Sequence, residues 1–182
     1  MNFSQLDIQI FYSINGLAGR WPELDALMKS LSRPGTYLVP GVLAFAFWFW
    51  QQRRQAIVSG LVLAALIFAV DSLSFGVKQL VARPRPCRAL PEVKQIVGCG
   101  RAYSFPSNHT VNTAAGGIFF QLLYPKTGYF VWPFVGMIGF NRVYVGSHYV
   151  TDVLGGWIVA AFYRRRLLPQ SKKPSASENT SA

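Results

Sequence analysis

Apolar positions follow two patterns along this chain. At the start Phe3, Leu6, Ile10, Phe11, Ile14 and Leu17 are spaced by threes and fours, which predicts an amphipathic helix resting on a bilayer surface. A second short amphipathic segment runs from Trp21 to Leu31 and stops at Arg33-Pro34-Gly35. Residues 1–33 therefore read as an interfacial segment. They do not read as a signal peptide, because the first charges are Asp7 and Arg20 and no basic stretch precedes an apolar core.

Beyond Pro34 the pattern changes to long apolar runs. Thr36 to Trp50 is uncharged and ends in Trp48-Phe49-Trp50; it is shorter than the roughly 20 residues a crossing needs but extends through its flanks. Arg53-Arg54 closes it. Ala56 to about Val77 follows, uncharged except for Asp71, and then a polar loop over 79–107 rich in Arg, Pro and Gly. Asn108 to Tyr124 carries the small residues Ala114, Ala115, Gly116 and Gly117, suited to close helix contact. Tyr129 to about Tyr144 and Val150 to Tyr163 complete the set, the last stopped by Arg164-Arg165-Arg166. The expected architecture is all-α: an integral membrane bundle of about five transmembrane helices over residues 34–168, preceded by the interfacial segment and followed by a disordered basic tail over 169–182.

Composition narrows the partner. The 182 residues are 51% hydrophobic and only 14% charged, with a net charge of +11, whereas a soluble domain averages about 25% charged residues. Such an excess of cations points to nucleic acid or to an anionic membrane. Basic clusters separated by long apolar runs favour the membrane, with no nucleic acid as partner. Five crossings place the N-terminal segment, the 79–107 loop and the 145–149 turn on one face. Arg53, Arg54, Lys126 and the basic tail fall on the other. Lys and Arg divide almost evenly between the two faces, so their number alone does not orient the bundle. Compact clusters beside the spans favour a cytoplasmic tail, and the basic loop face then needs a second reason, such as phosphate binding. Cys87 and Cys99 lie twelve positions apart in that loop. This suits a disulfide in an oxidising compartment, two unpaired thiols being the alternative.

The unusual polar residues cluster at the loop-side ends of the spans. Lys78 precedes Arg83-Pro84-Arg85-Pro86, whose prolines break any helix and fix the guanidinium of Arg85. Arg83 and Arg88 taken singly read as ordinary interface cations. Pro106, Ser107 and Asn108 mark a helix start with Ser107 or Asn108 as cap, so free N–H groups and a positive dipole end make an anion site next to His109. His148 and Asp152 are four apart and share a helix face, so the carboxylate can hold one imidazole nitrogen and leave the other free to attack. A plain capping Asp is the alternative there. Asp71, inside a span, reads as a structural contact, either seven residues from Lys78 on one helix face or between helices.

Lys78 with Arg85-Pro86, then Pro106-Ser107-Asn108-His109, then Arg142 with His148 and Asp152 resembles the three-part signature of the type 2 phosphatidic acid phosphatase (PAP2) family. Those membrane lipid phosphatases are similar in active site to vanadium haloperoxidases. The likeness spans about residues 34–163. Two residues depart from it: Asn108 stands where the family usually has Gly, and Asn141 where it usually has Ser. The resemblance implies His148 as nucleophile forming a phosphohistidine, Asp152 orienting it, and His109 as general acid on the leaving oxygen. It also implies Lys78, Arg85, Arg142, Ser107 and the Asn108 N–H as phosphate ligands, with no metal or other cofactor required. The expected substrate is a lipid phosphate, with lipid A 1-phosphate or undecaprenyl diphosphate ranked first and phosphatidylglycerol phosphate or phosphatidic acid as alternatives. The expected place is the bacterial inner membrane, with the site facing the periplasm and the C-terminus in the cytoplasm. A non-catalytic protein gripping anionic lipids would need the cations but not both histidines and Asp152. A Ser107-centred hydrolase would have cations where an acyl transfer wants backbone donors. Oligomeric state is left open.

Overall fold

The computed structural model describes residues 2–33, 35–100 and 103–167, so the tail expected at 169–182 lies outside the described residues. All of the regular structure in them is helical: α1 (Phe3–Asn15), α2 (Pro22–Leu31), α3 (Gly35–Gln51), α4 (Arg53–Val81), the single turn α5 (Pro86–Ala89), α6 (Asn108–Leu123), α7 (Gly128–Tyr144) and α8 (Val150–Leu167), with a 3-10 turn at Pro125–Thr127. Each apolar run beyond Pro34 has become one helix. The breaks follow local chemistry. Only Gln52 separates α3 from α4, and Arg53 turns its guanidinium over the Phe49 ring, 5.5 Å from its centroid. Pro84, which biases Arg83 away from helical angles, ends α4, and Ala82 caps it in the left-handed region at φ 48°.

α6 is the axis of the bundle, packed against α4, α7 and α8. Its small residues allow this. Ala114 and Ala115 are buried in a core with Leu66 and Val70 of α4, Val135 of α7 and Ala160 of α8. A Cβ on Gly117 would lie 2.5 Å from Val131 of α7, and one on Gly156 of α8 would lie 3.1 Å from the Thr110 Cβ. Helices this close bring their ends together as well, and at the loop end those ends carry the polar residues.

Outward-facing side chains are apolar to a degree that water would not tolerate. Val39, Leu43, Phe47, Leu61, Phe68, Phe75, Phe130 and Ile158 are all exposed by more than half their surface, far beyond the scattered apolar residues of a soluble surface. Among the described residues α4 is the one helix both long and apolar enough to cross a bilayer by itself, its best window having a mean hydropathy of 2.3, while the apolar parts of α3 (Val39–Gln51) and α8 (Val150–Phe162) are shorter.

The N-terminal segment does more than lie along a surface. α1 packs on α7 and α8 and buries Phe11 completely, together with the polar Asp7 and Asn15. Asn15 donates through Nδ2 to the carbonyls of Lys94 and Tyr144, both at 2.8 Å, and accepts from the Lys94 N–H at 2.9 Å. Tyr12 donates to the Pro91 carbonyl at 2.8 Å. Helix α1 thus fastens the middle of the 82–107 loop to the end of α7. Asp7 sits four positions before Phe11, and Asn15 four after. A helix face that carries an acid and an amide beside a fully buried ring has polar partners to meet.

The turn from α7 to α8 depends on Gly146, which has φ +80° and no room for a side chain, since a Cβ would sit 2.8 Å from Val93 and 3.0 Å from the Lys94 carbonyl. Gly146→Ala is expected to cost about 1–3 kcal/mol through the positive φ, with the clash in addition, read as a lower unfolding midpoint in detergent. A substitution at Gly116, which faces open space, is the control and leaves the midpoint within error.

Candidate active site

Widely separated stretches of chain converge on one cavity of about 380 Å³ at the loop end of the bundle. The last turn of α4 contributes Lys78, the segment after it Arg85, the first turn of α6 Asn108 and His109, the end of α7 Arg142, and the α7–α8 turn Ser147 and His148. Ser32, just past α2, and Val97, Gly98 and Gly100 of the long loop complete the wall. The two histidines, 39 positions apart in sequence, therefore face the same space. Cys87 and Cys99 are joined as a disulfide, Cα to Cα 6.1 Å, which closes the loop whose glycines line the cavity mouth. Gly100 lies against the Arg85 guanidinium, where a Cβ would approach to 3.2 Å.

His148 is 3% exposed. Its Nε2 lies 3.0 Å from the Arg85 Nη1, and since a guanidinium only donates, Nε2 carries the lone pair. The proton is then on Nδ1, which faces the Asp152 Oδ2 at 3.4 Å. That separation is ion-pair range and longer than a good hydrogen bond. His148 lies in the turn, outside the flanking helices, and burial first, then the Arg85 and Lys78 charges, push its imidazole down to about 4 against the opposing pull of Asp152. The ring is neutral at neutral pH, with its unprotonated nitrogen held by Arg85 at the wall of a cationic cavity.

Asp152 is fully buried and uses every acceptor. Oδ2 also takes the Tyr149 N–H at 2.9 Å, Oδ1 takes the Arg83 Nη1 at 2.9 Å, and its backbone carbonyl takes the Ser107 N–H at 3.1 Å. The last bond ties the start of α6 to the start of α8, and so brings His109 towards His148. Arg83, read from the sequence as an ordinary interface cation, is instead the hub of a buried network. Its Nη2 meets Asp7 Oδ2 at 2.7 Å, its Nη1 donates to Thr151 Oγ1 at 2.6 Å, and its plane stacks on the Tyr149 ring at 3.7 Å. Asp7 in turn accepts from the Thr151 N–H at 3.1 Å and from its hydroxyl at 2.5 Å, on the positive end of α8. No spacing within the 78–152 motifs could reveal Asp7, which lies 76 residues before Arg83. An acid on the buried face of α1 was the one signal.

The cations are held by neutral acceptors. Lys78 donates to the Pro106 carbonyl and, at 3.3 Å, to that of Tyr103. Arg85 donates to the Ser147 carbonyl at 3.1 Å. Arg142 donates through Nε (3.1 Å) and Nη2 (2.6 Å) to the Asn141 Oδ1 and also bonds Ser32. Asn141 donates at 2.6 Å to the Met28 carbonyl, so the residue that departs from the resemblance anchors its neighbouring arginine to α2. Ser107, expected as a phosphate ligand, is set back from the cavity. It caps α6 by position but without a side-chain capping bond, is fully buried, accepts from the Thr110 hydroxyl at 3.0 Å, commits its N–H to Asp152, and is absent from the cavity wall. Asn108 does line it. Asp71 bonds Asn108 and Asn112, each at 3.1 Å, a contact between α4 and α6.

Known proteins are similar to this chain over most of its length. The PAP2 superfamily profile matches residues 58–173. The chain is 31% identical to phosphatidylglycerophosphatase B of Bacillus subtilis over 76% of this chain and 70% of that protein. It is 29% identical to undecaprenyl-diphosphatase BcrC of the same organism (85% and 79%). To the lipid A 4'-phosphatase of Porphyromonas gingivalis it is 27% identical (84% and 67%). Among solved structures, Aquifex aeolicus LpxE superposes with a TM-score of 0.70 at 24% identity, covering 87% of this chain and 92% of that one. The transmembrane PAP2 type phosphatidylglycerolphosphate phosphatase of B. subtilis gives 0.66 at 25% identity, over 90% and 85%.

The Arg83 network makes a sharp contrast testable. Arg83→Ala leaves two buried carboxylates facing each other, and the expected loss is about 3 kcal/mol of folding free energy, towards the lower end for a broken buried pair because Arg83 is a quarter exposed. Arg20→Ala, which loses an exposed bond to the Gly16 carbonyl, should shift stability by less than about 0.5 kcal/mol. Thermal unfolding of both variants in detergent checks the pair.

Proposed function

Because the chain belongs to the PAP2 superfamily and is a membrane lipid phosphatase, we propose that it transfers the phosphoryl group of a lipid to His148 and then to water. The observation that supports this most is the lone pair of His148 Nε2, backed by Asp152 and held by Arg85 at the wall of the cavity that His109, Lys78 and Arg142 also line. In the first step Nε2 attacks phosphorus, the bond to the leaving oxygen breaks, and His109 supplies that oxygen with a proton. The imidazole becomes positive as it is phosphorylated, and Asp152 stabilises it. In the second step His109 takes a proton from water, which displaces His148 and releases inorganic phosphate. The three cations and the Asn108 N–H neutralise the equatorial oxygens throughout, and electrostatic positioning of this kind supplies most of what phosphoryl transfer requires.

On this reading α3, α4, α6, α7 and α8 cross the bilayer. The disulfide loop, the site and the first helices lie on the outer side of a bacterial inner membrane, and the C-terminus lies in the cytoplasm. A phosphate at the interface with its tail in the bilayer suits the end of the bundle where the site opens. Lipid A 1-phosphate, undecaprenyl diphosphate, phosphatidylglycerol phosphate and phosphatidic acid all have that form. The relatives named above act on three such classes.

Purified protein in detergent should release phosphate from a lipid phosphate and keep that activity in EDTA, while His148→Ala should lose it by at least about a thousandfold, as nucleophile deletions do. Denaturation in alkali, where a phosphorus–nitrogen bond survives, should trap phosphate on His148 in the wild type and none in the variant. Full activity of His148→Ala would overturn the assignment. The pH profile carries a second test. His148 must be neutral to attack, and its free-protein ionisation lies near about 4, so the acid limb it contributes to kcat/KM should fall near that value and not at the ordinary imidazole value of about 6.5.

A further inference from the structure

A second cavity, also about 380 Å³, opens beside the first and shares two residues with it, Asn108 and His109. Asp71 of α4, Asn112 and Thr113 of α6 and Ile138 of α7 form the rest of its wall. Helices α4 and α7 both pack on α6 but not on each other, so this cavity is the gap between them.

Its position follows from the reaction direction and rests on the phosphatase reading above. In an in-line displacement the leaving oxygen departs from the face of phosphorus opposite the nucleophile. With His148 as nucleophile and His109 protonating the leaving oxygen, the departing group extends past His109, which is the residue where the two cavities meet. The chemistry of the second cavity then acts on the leaving group.

That chemistry is acceptor-rich and anionic. Asp71 Oδ1 takes one N–H from Asn108 and one from Asn112, which turns both amide oxygens away from the carboxylate. Asn108 Oδ1 and Asn112 Oδ1 are buried with no hydrogen-bond partner among the described residues and are closed to the cavity, which leaves the partly exposed Asp71 carboxylate as its charged acceptor. Thr113 commits its hydroxyl proton to the His109 carbonyl at 2.7 Å, so its oxygen can only accept. Among the described residues no lysine or arginine lines this cavity, in contrast to the three that line the first.

We propose that the second cavity is the leaving-group subsite and that Asp71, with Asn108 and Asn112, selects a neutral leaving group bearing free hydroxyls, such as a sugar or glycerol unit, over one that is itself a phosphate. Hydroxyl protons of such a group are accepted by the Asp71 carboxylate, which lines the cavity and which Asn108 and Asn112 hold in place. A second phosphate in this cavity would meet the like charge of Asp71, with Lys78 acting on that carboxylate from the first cavity's wall. Sugar and glycerol phosphates are favoured as substrates over polyprenyl diphosphates on this account.

The test uses the full chain in detergent with three probes: lysophosphatidic acid, whose phosphate has a free hydroxyl beside it; hexadecyl phosphate, which has none; and farnesyl diphosphate, whose leaving group is a phosphate. The expected wild-type kcat/KM for lysophosphatidic acid exceeds that for hexadecyl phosphate by about tenfold, what one hydrogen bond to a charged group is worth. Asp71→Asn should remove most of that preference and raise the ratio of farnesyl diphosphate to lysophosphatidic acid turnover about tenfold, by removing a like charge. Equal wild-type rates on the two monoesters, or an Asp71→Asn variant with unchanged ratios, overturns the subsite while leaving the phosphatase reading intact. The wild-type comparison decides the matter alone if the variant does not fold. No phosphate release from any probe overturns the phosphatase reading and the subsite with it.

Discussion

The Asp152 carboxylate is the constraint around which this molecule is arranged. A fully buried charge is stable only if it is paired and hydrogen-bonded, and two separate stretches of the chain meet to satisfy it while its backbone carbonyl holds a third. The α7–α8 turn supplies the Tyr149 N–H and the His148 imidazole, the segment after α4 supplies Arg83, and the carbonyl of the same residue holds the first N–H before α6. Solvation of one carboxylate and assembly of the site are therefore one event. The need to bury Asp152 with partners brings together histidines that the sequence keeps far apart.

Charge is segregated within that assembly. The anions Asp7 and Asp152 share the one cation Arg83 behind His148, while Lys78, Arg85 and Arg142 are held in front of it by carbonyls, an amide and a hydroxyl. Neutral acceptors orient a cation without cancelling its charge, and so the front of the cavity keeps its field for an incoming phosphate. Had the carboxylates faced the cavity, the same residues would have made a stable cluster with little affinity for anions. Asp71 stands apart from both groups, bonded only to amides and placed where a product would leave.

The bundle that carries these groups is shaped by the bilayer. Large apolar side chains cover the outside of α3, α4 and α7, and small ones fill the contacts of α6, the arrangement expected where lipid solvates the exterior and close packing holds helices together. Close packing at Gly117, Gly139 and Gly156 leaves the helix ends little freedom, and a phosphoryl site needs fixed donors more than mobile ones. Helix α1 adds a brace from outside the apolar runs, pinning the disulfide loop through Asn15 and the α8 terminus through Asp7.

Periodicity and residue type determined the helices, because an apolar run has one way to satisfy its backbone in lipid and because proline and glycine end helices wherever they fall. They also marked Lys78, Arg85, His109, Arg142, His148 and Asp152, whose chemistry is rare enough within apolar surroundings to stand out. Local pattern could not show which polar groups partner each other. Arg83 looked like any interface cation and proved to bridge Asp7 and Asp152. Pairing of buried charges and amides is decided by which helix faces meet, and for Asp7 the partner is 76 residues away along the chain. Only the packed structure sets that distance to a hydrogen bond, because the free energy that selects it comes from desolvating all the partners at once.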